Sequence, residues 1–174
     1  MLFRSIAEKC EEILFEQGLQ AYAANKEGLV TPALEAIIEA NTLLSGLGFE
    51  NGGIAGAHAI HNGLATLKGD IEEMTHGEKV AYGIVAQLIL ENRPVAELDR
   101  YIGFMLKLDL PITMEGLHLD QVSDEDLYQA AEAAVDPDDT MTNMPFEVTA
   151  DDVVQALKAV DVYVKDYQER HNLE

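Results

Sequence analysis

The chain has 174 residues, one domain's worth of sequence, and 48% of them are apolar, enough for an ordinary core. Acidic residues outnumber basic ones 32 to 11, and the formal charge of −21 excludes nucleic acid and anionic membrane surfaces as partners. The single cysteine, Cys10, excludes an intrachain disulfide, and no uncharged run reaches the ~20 residues that cross a bilayer.

Met1 to Leu19 carries Arg4, Glu8, Lys9, Glu11, Glu12 and Glu16, so it is not read as a signal peptide, and the cytoplasm is the expected location. Leu2, Phe3, Ile6, Cys10, Ile13, Leu14 and Ala21 recur at helical spacing and predict a helix from Leu2 to about Asn25. Cys10 on that stripe is read as a buried, inert thiol. A partly uncovered stripe here is a route to self-association.

Thr31 caps a second helix and Pro32 takes its first position. Leu34, Ile37, Ile38 and Leu44 form its core stripe, and Gly46 and Gly48 are expected to end it. Asn41, Thr42 and Ser45 are read as interhelix hydrogen-bonding groups, with substrate contact the weaker alternative.

The next stretch, NGGIAGAHAIHNGLATLKGDIEEMTHGEKV, Asn51 to Val80, holds three of the five histidines. Ile54 to Leu67 has a helical period, so His58 and His61, three apart, lean from one side of a helix. Gly53, Ala55, Gly56, Ala57 and Ala59 are small and let another backbone or a ligand come close. Lys68 to Thr75 reads as a loop, and His76 opens the following apolar helix, at its N-terminus. Two antiparallel helices joined by this loop would return His76 to the side of His58. Converging imidazoles suit zinc or iron. Histidines satisfied within a core fit the same spacing, and the residues alone leave both readings open.

Val80 to Glu91 is apolar on more than one face and predicts a central helix, with Tyr82 a core tyrosine making one hydrogen bond. A helix from Pro94 to about Leu108 turns Leu98, Ile102, Met105 and Leu106 inward. His118 is read as a solvated loop residue and His171 as a terminal one. Ser123 begins a capping-box-like start to the helix Glu125 to Ala134. The DPDD run ending at Asp139 lacks the Gly and twelfth-position Glu of a calcium hand and reads as a solvated acidic turn. After an irregular connector, Thr149 caps a last helix from Ala150 to about Glu169. No strand-period alternation, nucleotide-binding Gly motif or internal repeat interrupts this order. The expected fold is all-α, a single helical bundle domain of roughly seven helices over residues 1–174.

The run TPALEAIIEANTLLSGLGFENGGIAGAHAIHNGL, followed by HGEKVAYG, resembles the C-terminal half of glycerol dehydrogenase, in the iron-activated (metal-dependent) alcohol dehydrogenase superfamily. LPITMEGLHLDQVSDEDL and MPFEVTADDVVQALKAVD extend the resemblance to near the C-terminus. It implies that His58 and His76 are metal ligands for zinc. It implies a catalytic part for His61, as proton relay or as a residue supporting the metal ligands near the nicotinamide, and a place for Phe49 in the substrate pocket wall. The family's third ligand is an aspartate on a helix before this motif, and its NAD-binding domain precedes that helix. Both are expected to lie outside this sequence.

Three functions follow. The first is the C-terminal zinc-binding domain of an NAD-dependent glycerol dehydrogenase, glycerol to dihydroxyacetone in the complete enzyme, inactive by itself. The second is half of a split enzyme, with a separate nucleotide-binding chain as partner. The third is a non-enzymatic remnant that forms homo-oligomers or sequesters metal.

Overall fold

The computed structural model describes residues 2–173. Met1, Glu174 and the side chains of Leu2 and Phe3, which the sequence pattern puts on the first apolar stripe, lie outside the described residues. All regular elements among the described residues are helical. They fall into two compact units, Met1–Ile54 and Ala55–Glu174.

The first unit contains α1 (Leu2–Lys26), α2 (Pro32–Glu39) and α3 (Ser45–Gly52). Gly28, at φ +66°, takes the left-handed conformation that follows α1. The Thr31 hydroxyl accepts from the Leu34 N–H at 3.3 Å, and Pro32 follows at the first helical position, as the sequence predicts. Gly46 and Gly48 do not end this helix. A π-helical turn, Ala40–Leu44, joins α2 to α3 with right-handed helical backbone at both junctions. Counted this way, the chain has seven helical rods among its described residues. Glycine weakens a helix by roughly 1 kcal/mol but does not forbid one. The rod stops where Gly53 turns to φ +75°. Thr42 donates to the Ile38 carbonyl at 2.7 Å, a bond within its own rod at the π turn.

The second unit holds α4 (Gly56–Leu64), α5 (His76–Leu90), α6 (Val95–Lys107), α7 (Asp124–Ala134) and α8 (Ala150–His171). Single 3₁₀ turns, Asp70–Glu73 and Thr140–Asn143, punctuate two segments that read as irregular in sequence. α5 is the central helix, against α4, α6 and α8. Its Tyr82 is fully buried and donates to the Leu157 carbonyl of α8 at 2.7 Å. Tyr82 shares one hydrophobic cluster with Ile60, Leu64, Val85, Ile102, Leu157 and Val160.

The small residues of the histidine stretch serve close packing. A Cβ on Gly83 of α5 would lie 2.5 Å from the Ala57 carbonyl oxygen of α4. One on Gly63 of α4 would lie 2.2 Å from the Ala130 carbonyl oxygen of α7. Three helices therefore meet backbone to backbone, and α4 is fixed in position between two neighbours.

Candidate metal centre

α4 and α5 present the histidines, and local chemistry fixes both helix starts. Thr75 and Glu78 form a capping box: the Thr75 hydroxyl accepts from the Glu78 N–H at 3.3 Å, and the Glu78 carboxylate accepts from the Thr75 N–H at 2.7 Å. His76 is the next residue, so its ring leaves the chain at a fixed first helical position. At the start of α4, the Ala57 N–H donates to the Gln87 side-chain carbonyl at 2.8 Å, which gives an otherwise orphaned helix-end donor a partner.

The three rings come together. His58 and His76 have ring centroids 5.4 Å apart, tilted by 48°. His61 and His76 are closer, 4.3 Å between centroids, edge to face, with His76 Nδ1 and His61 Nε2 3.1 Å apart. His58 and His61 are half-buried and His76 is exposed. Burial pushes His58 below the ordinary histidine pKa, and the neighbouring His76 and His61 rings push the same way. Burial also lowers His61, opposed by its hydrogen bond with Asn62. Lys79, one turn along α5 and only 7% exposed, adds positive charge that lowers His61 further. Both shifts favour the neutral imidazole, the form that binds metal.

Zinc–nitrogen bonds of ~2.0–2.1 Å in a tetrahedron put two imidazole ring centres about 5 Å apart. The His58–His76 spacing of 5.4 Å fits that bite. His61 is turned aside, its Nε2 facing His76 Nδ1 rather than a shared centre. Accordingly, no group of three or more His, Cys, Asp or Glu among the described residues is arranged to hold a metal ion. The pair offers two positions of a tetrahedron, and the remaining donors must come from elsewhere.

Two residues that sequence reasoning missed complete the cluster. Asn62 Oδ1 lies 3.0 Å from His61 Nδ1. Asn62 Nδ2 donates to both carboxylate oxygens of Asp139, at 3.2 and 3.0 Å. Asp139 also caps the 3₁₀ turn by accepting from the Thr140 N–H, and the Thr140 hydroxyl reaches the Ala55 carbonyl at 3.1 Å. The acidic turn is therefore tied to the start of α4 and is not simply solvated. Phe49 lies on α3 in the first unit, 52% exposed. His118 and His171 are exposed, as expected; His171 stacks on Tyr167 at 4.0 Å.

No protein-family model matches the chain. Glycerol dehydrogenase of Thermotoga maritima is 50% identical over 159 residues, which are 91% of this chain and 43% of that protein. The crystal structure of glycerol dehydrogenase from Schizosaccharomyces pombe superposes with a TM-score of 0.96 at 42% identity, over 99% of this chain and 44% of that one. This chain resembles the C-terminal part of glycerol dehydrogenase. Glycolaldehyde reductase of Halobacterium salinarum is 44% identical over 90% of this chain and 42% of its own length. The chain spans 37% to 44% of the length of the curated relatives it matches. Among the described residues, no helix is long and apolar enough to cross a membrane.

Proposed function

We propose that this chain is the metal-binding helical part of an NAD-dependent dehydrogenase of the glycerol dehydrogenase type, acting on a small polyol. The observation that carries the reading is the His58–His76 ring spacing of 5.4 Å, on helices locked together by Gly83 and Ala57. A zinc ion held there would supply Lewis-acid polarisation of an alcohol oxygen, in a reaction whose hydride goes to nicotinamide.

The chain's own residues have three tasks. His58 and His76 hold the ion as neutral imidazoles. His61, set between His76 and Asn62, would support proton movement at the site. Phe49, on the first unit, is the substrate-binding residue that the resemblance implies. The nicotinamide and a further metal donor are supplied by residues outside these 174, in the same polypeptide or in a partner. The relatives named for glycerol and for glycolaldehyde support a small hydroxylated substrate and not one particular polyol. The acidic surface favours a hydrated protein without nucleic-acid or membrane partners, and we infer a cytoplasmic location.

A second reading, a non-enzymatic oligomerisation module, draws on one observation. Ile38, Leu43, Leu47 and Phe49 are each about half exposed in the first unit.

Zinc titration of metal-stripped protein by calorimetry tests the first reading. One saturable site is expected, with affinity lowered at least about tenfold in His58→Ala and in His76→Ala. Equal binding by wild type and both variants, or no binding at all, rejects the metal centre.

A further inference from the structure

A carboxylate can only accept hydrogen bonds, and that one restriction propagates along four side chains. Asp139 faces Asn62 with both oxygens, at 3.2 and 3.0 Å. The Asn62 amide must therefore turn its Nδ2 hydrogens to Asp139. Its Oδ1 is left facing His61 Nδ1 at 3.0 Å, and that nitrogen must carry the hydrogen. A neutral His61 then has its lone pair on Nε2. His76 Nδ1 stands 3.1 Å from that lone pair and must donate to it. A neutral His76 with its hydrogen on Nδ1 has its lone pair on Nε2.

We propose that Asp139 and Asn62 are positioning residues which, through His61, fix the hydrogen of His76 on Nδ1 and keep Nε2 open for the metal. The inference rests on the metal-centre reading above for its purpose. Its geometry stands without a metal. An imidazole that ligates through one nitrogen and donates a hydrogen bond from the other is the arrangement metal sites use to fix ring orientation and tautomer. Here the fixing partner is another histidine, and the ultimate determinant lies 77 residues from Asn62 in sequence. The Thr140 tie to Ala55 holds that determinant against the start of α4, so the relay and the histidine helix share one anchor.

Asp139 also caps the Thr140 turn, so removing its side chain would confuse loosening of the loop with loss of the relay. Asp139→Asn avoids this, because asparagine is as good a cap as aspartate. Its amide nitrogen would face Asn62 and turn that amide over. His61 would then receive a hydrogen bond at Nδ1 and carry its own hydrogen on Nε2, and His76 Nδ1 would become the acceptor. The double variant Asn62→Asp with Asp139→Asn restores the original polarity, since the carboxylate at 62 accepts from both neighbours.

The experiment is long-range proton–nitrogen NMR on metal-free protein with ¹⁵N-labelled histidine, at a pH where the rings are neutral. The wild type should show both His61 and His76 with hydrogen on Nδ1. Asp139→Asn should move both to Nε2, and the double variant should return both to Nδ1. Zinc affinity should follow, falling about 10–100-fold in the single variant and recovering in the double one. An unchanged tautomer in Asp139→Asn, or a double variant that keeps its circular dichroism but fails to return to Nδ1, overturns the proposal. If the wild type binds no zinc, the metal-centre reading fails by itself, and the tautomers still decide the relay.

Discussion

The two units use the same alphabet of amphipathic helices and bury different things. In Met1–Ile54 the buried positions among the described residues are Gly18, Ala21, Ala33 and Ala40, all small. Ile38, Leu43 and Leu47 remain 52%, 50% and 42% exposed. In Ala55–Glu174 the buried set includes Tyr82, Ile60, Leu64, Ile102, Leu117 and Leu157, and the main hydrophobic cluster lies wholly there. An apolar stripe says that a helix face avoids water. It does not say that the same chain segment supplies what covers it. Burying a large apolar side chain contributes about 1.5–3 kcal/mol, so the second unit holds most of the stabilisation.

Matched truncations test this difference most strongly. Ile60→Ala in the second unit should cost about 2–5 kcal/mol in urea unfolding. Leu47→Ala in the first should cost less than about 1 kcal/mol, as at an exposed site. Comparable losses would mean that the first unit has a core of its own.

Glycines give a second, smaller contrast. Gly63→Ala drives a methyl into the Ala130 carbonyl and should cost about 1–3 kcal/mol. Gly46→Ala, within α3 and with nothing in the space its Cβ would take, should raise stability by about 0.5–1 kcal/mol. Thermal unfolding of the two variants should shift in opposite directions, and a shared sign would refute the distinction between contact and mere helix content.

Caps give the smallest. Thr149 belongs to a reciprocal box, its N–H donating to Asp152 at 2.9 Å and its hydroxyl accepting from the Asp152 N–H at 3.2 Å. Thr31 makes a single cap bond of 3.3 Å. Thr149→Ala should cost about 1 kcal/mol, and Thr31→Ala a smaller amount, by denaturant midpoint. The reverse ranking would assign the first unit the better-anchored helix.

Most of the helical order was legible because helix ends are written locally. Thr31-Pro32, Ser123 and Thr149 each carry their signal within four residues, and each cap is present. The rod through Gly46 and Gly48 was not legible. Their low helix propensity suggests a stop, whereas the backbone stops at Gly53. The return of His76 to the side of His58 was expected from an antiparallel turn; its closer approach to His61 was not. Asp139 was out of reach of any such argument. Its partner Asn62 is 77 residues away, and nothing in DPDD distinguishes a solvated acidic turn from one that orients a neighbour's amide. Local rules read elements; pairings between distant loops need the folded backbone.

Tyr82 has a consequence in the ultraviolet. The chain contains six tyrosines and no tryptophan, so phenols dominate its near-ultraviolet absorbance. Burial pushes the Tyr82 phenol far above the ordinary tyrosine pKa, while its hydrogen is held by the Leu157 carbonyl. Above about pH 10, an unfolded chain releases that proton and a folded one keeps it, so alkali draws the equilibrium toward unfolding. The stability linked to Tyr82 is thus fully present below that pH and declines as pH climbs. The red-shifted phenolate band of this one residue would appear only as α5 and α8 part, which gives the second unit a native chromophore that reports its own opening.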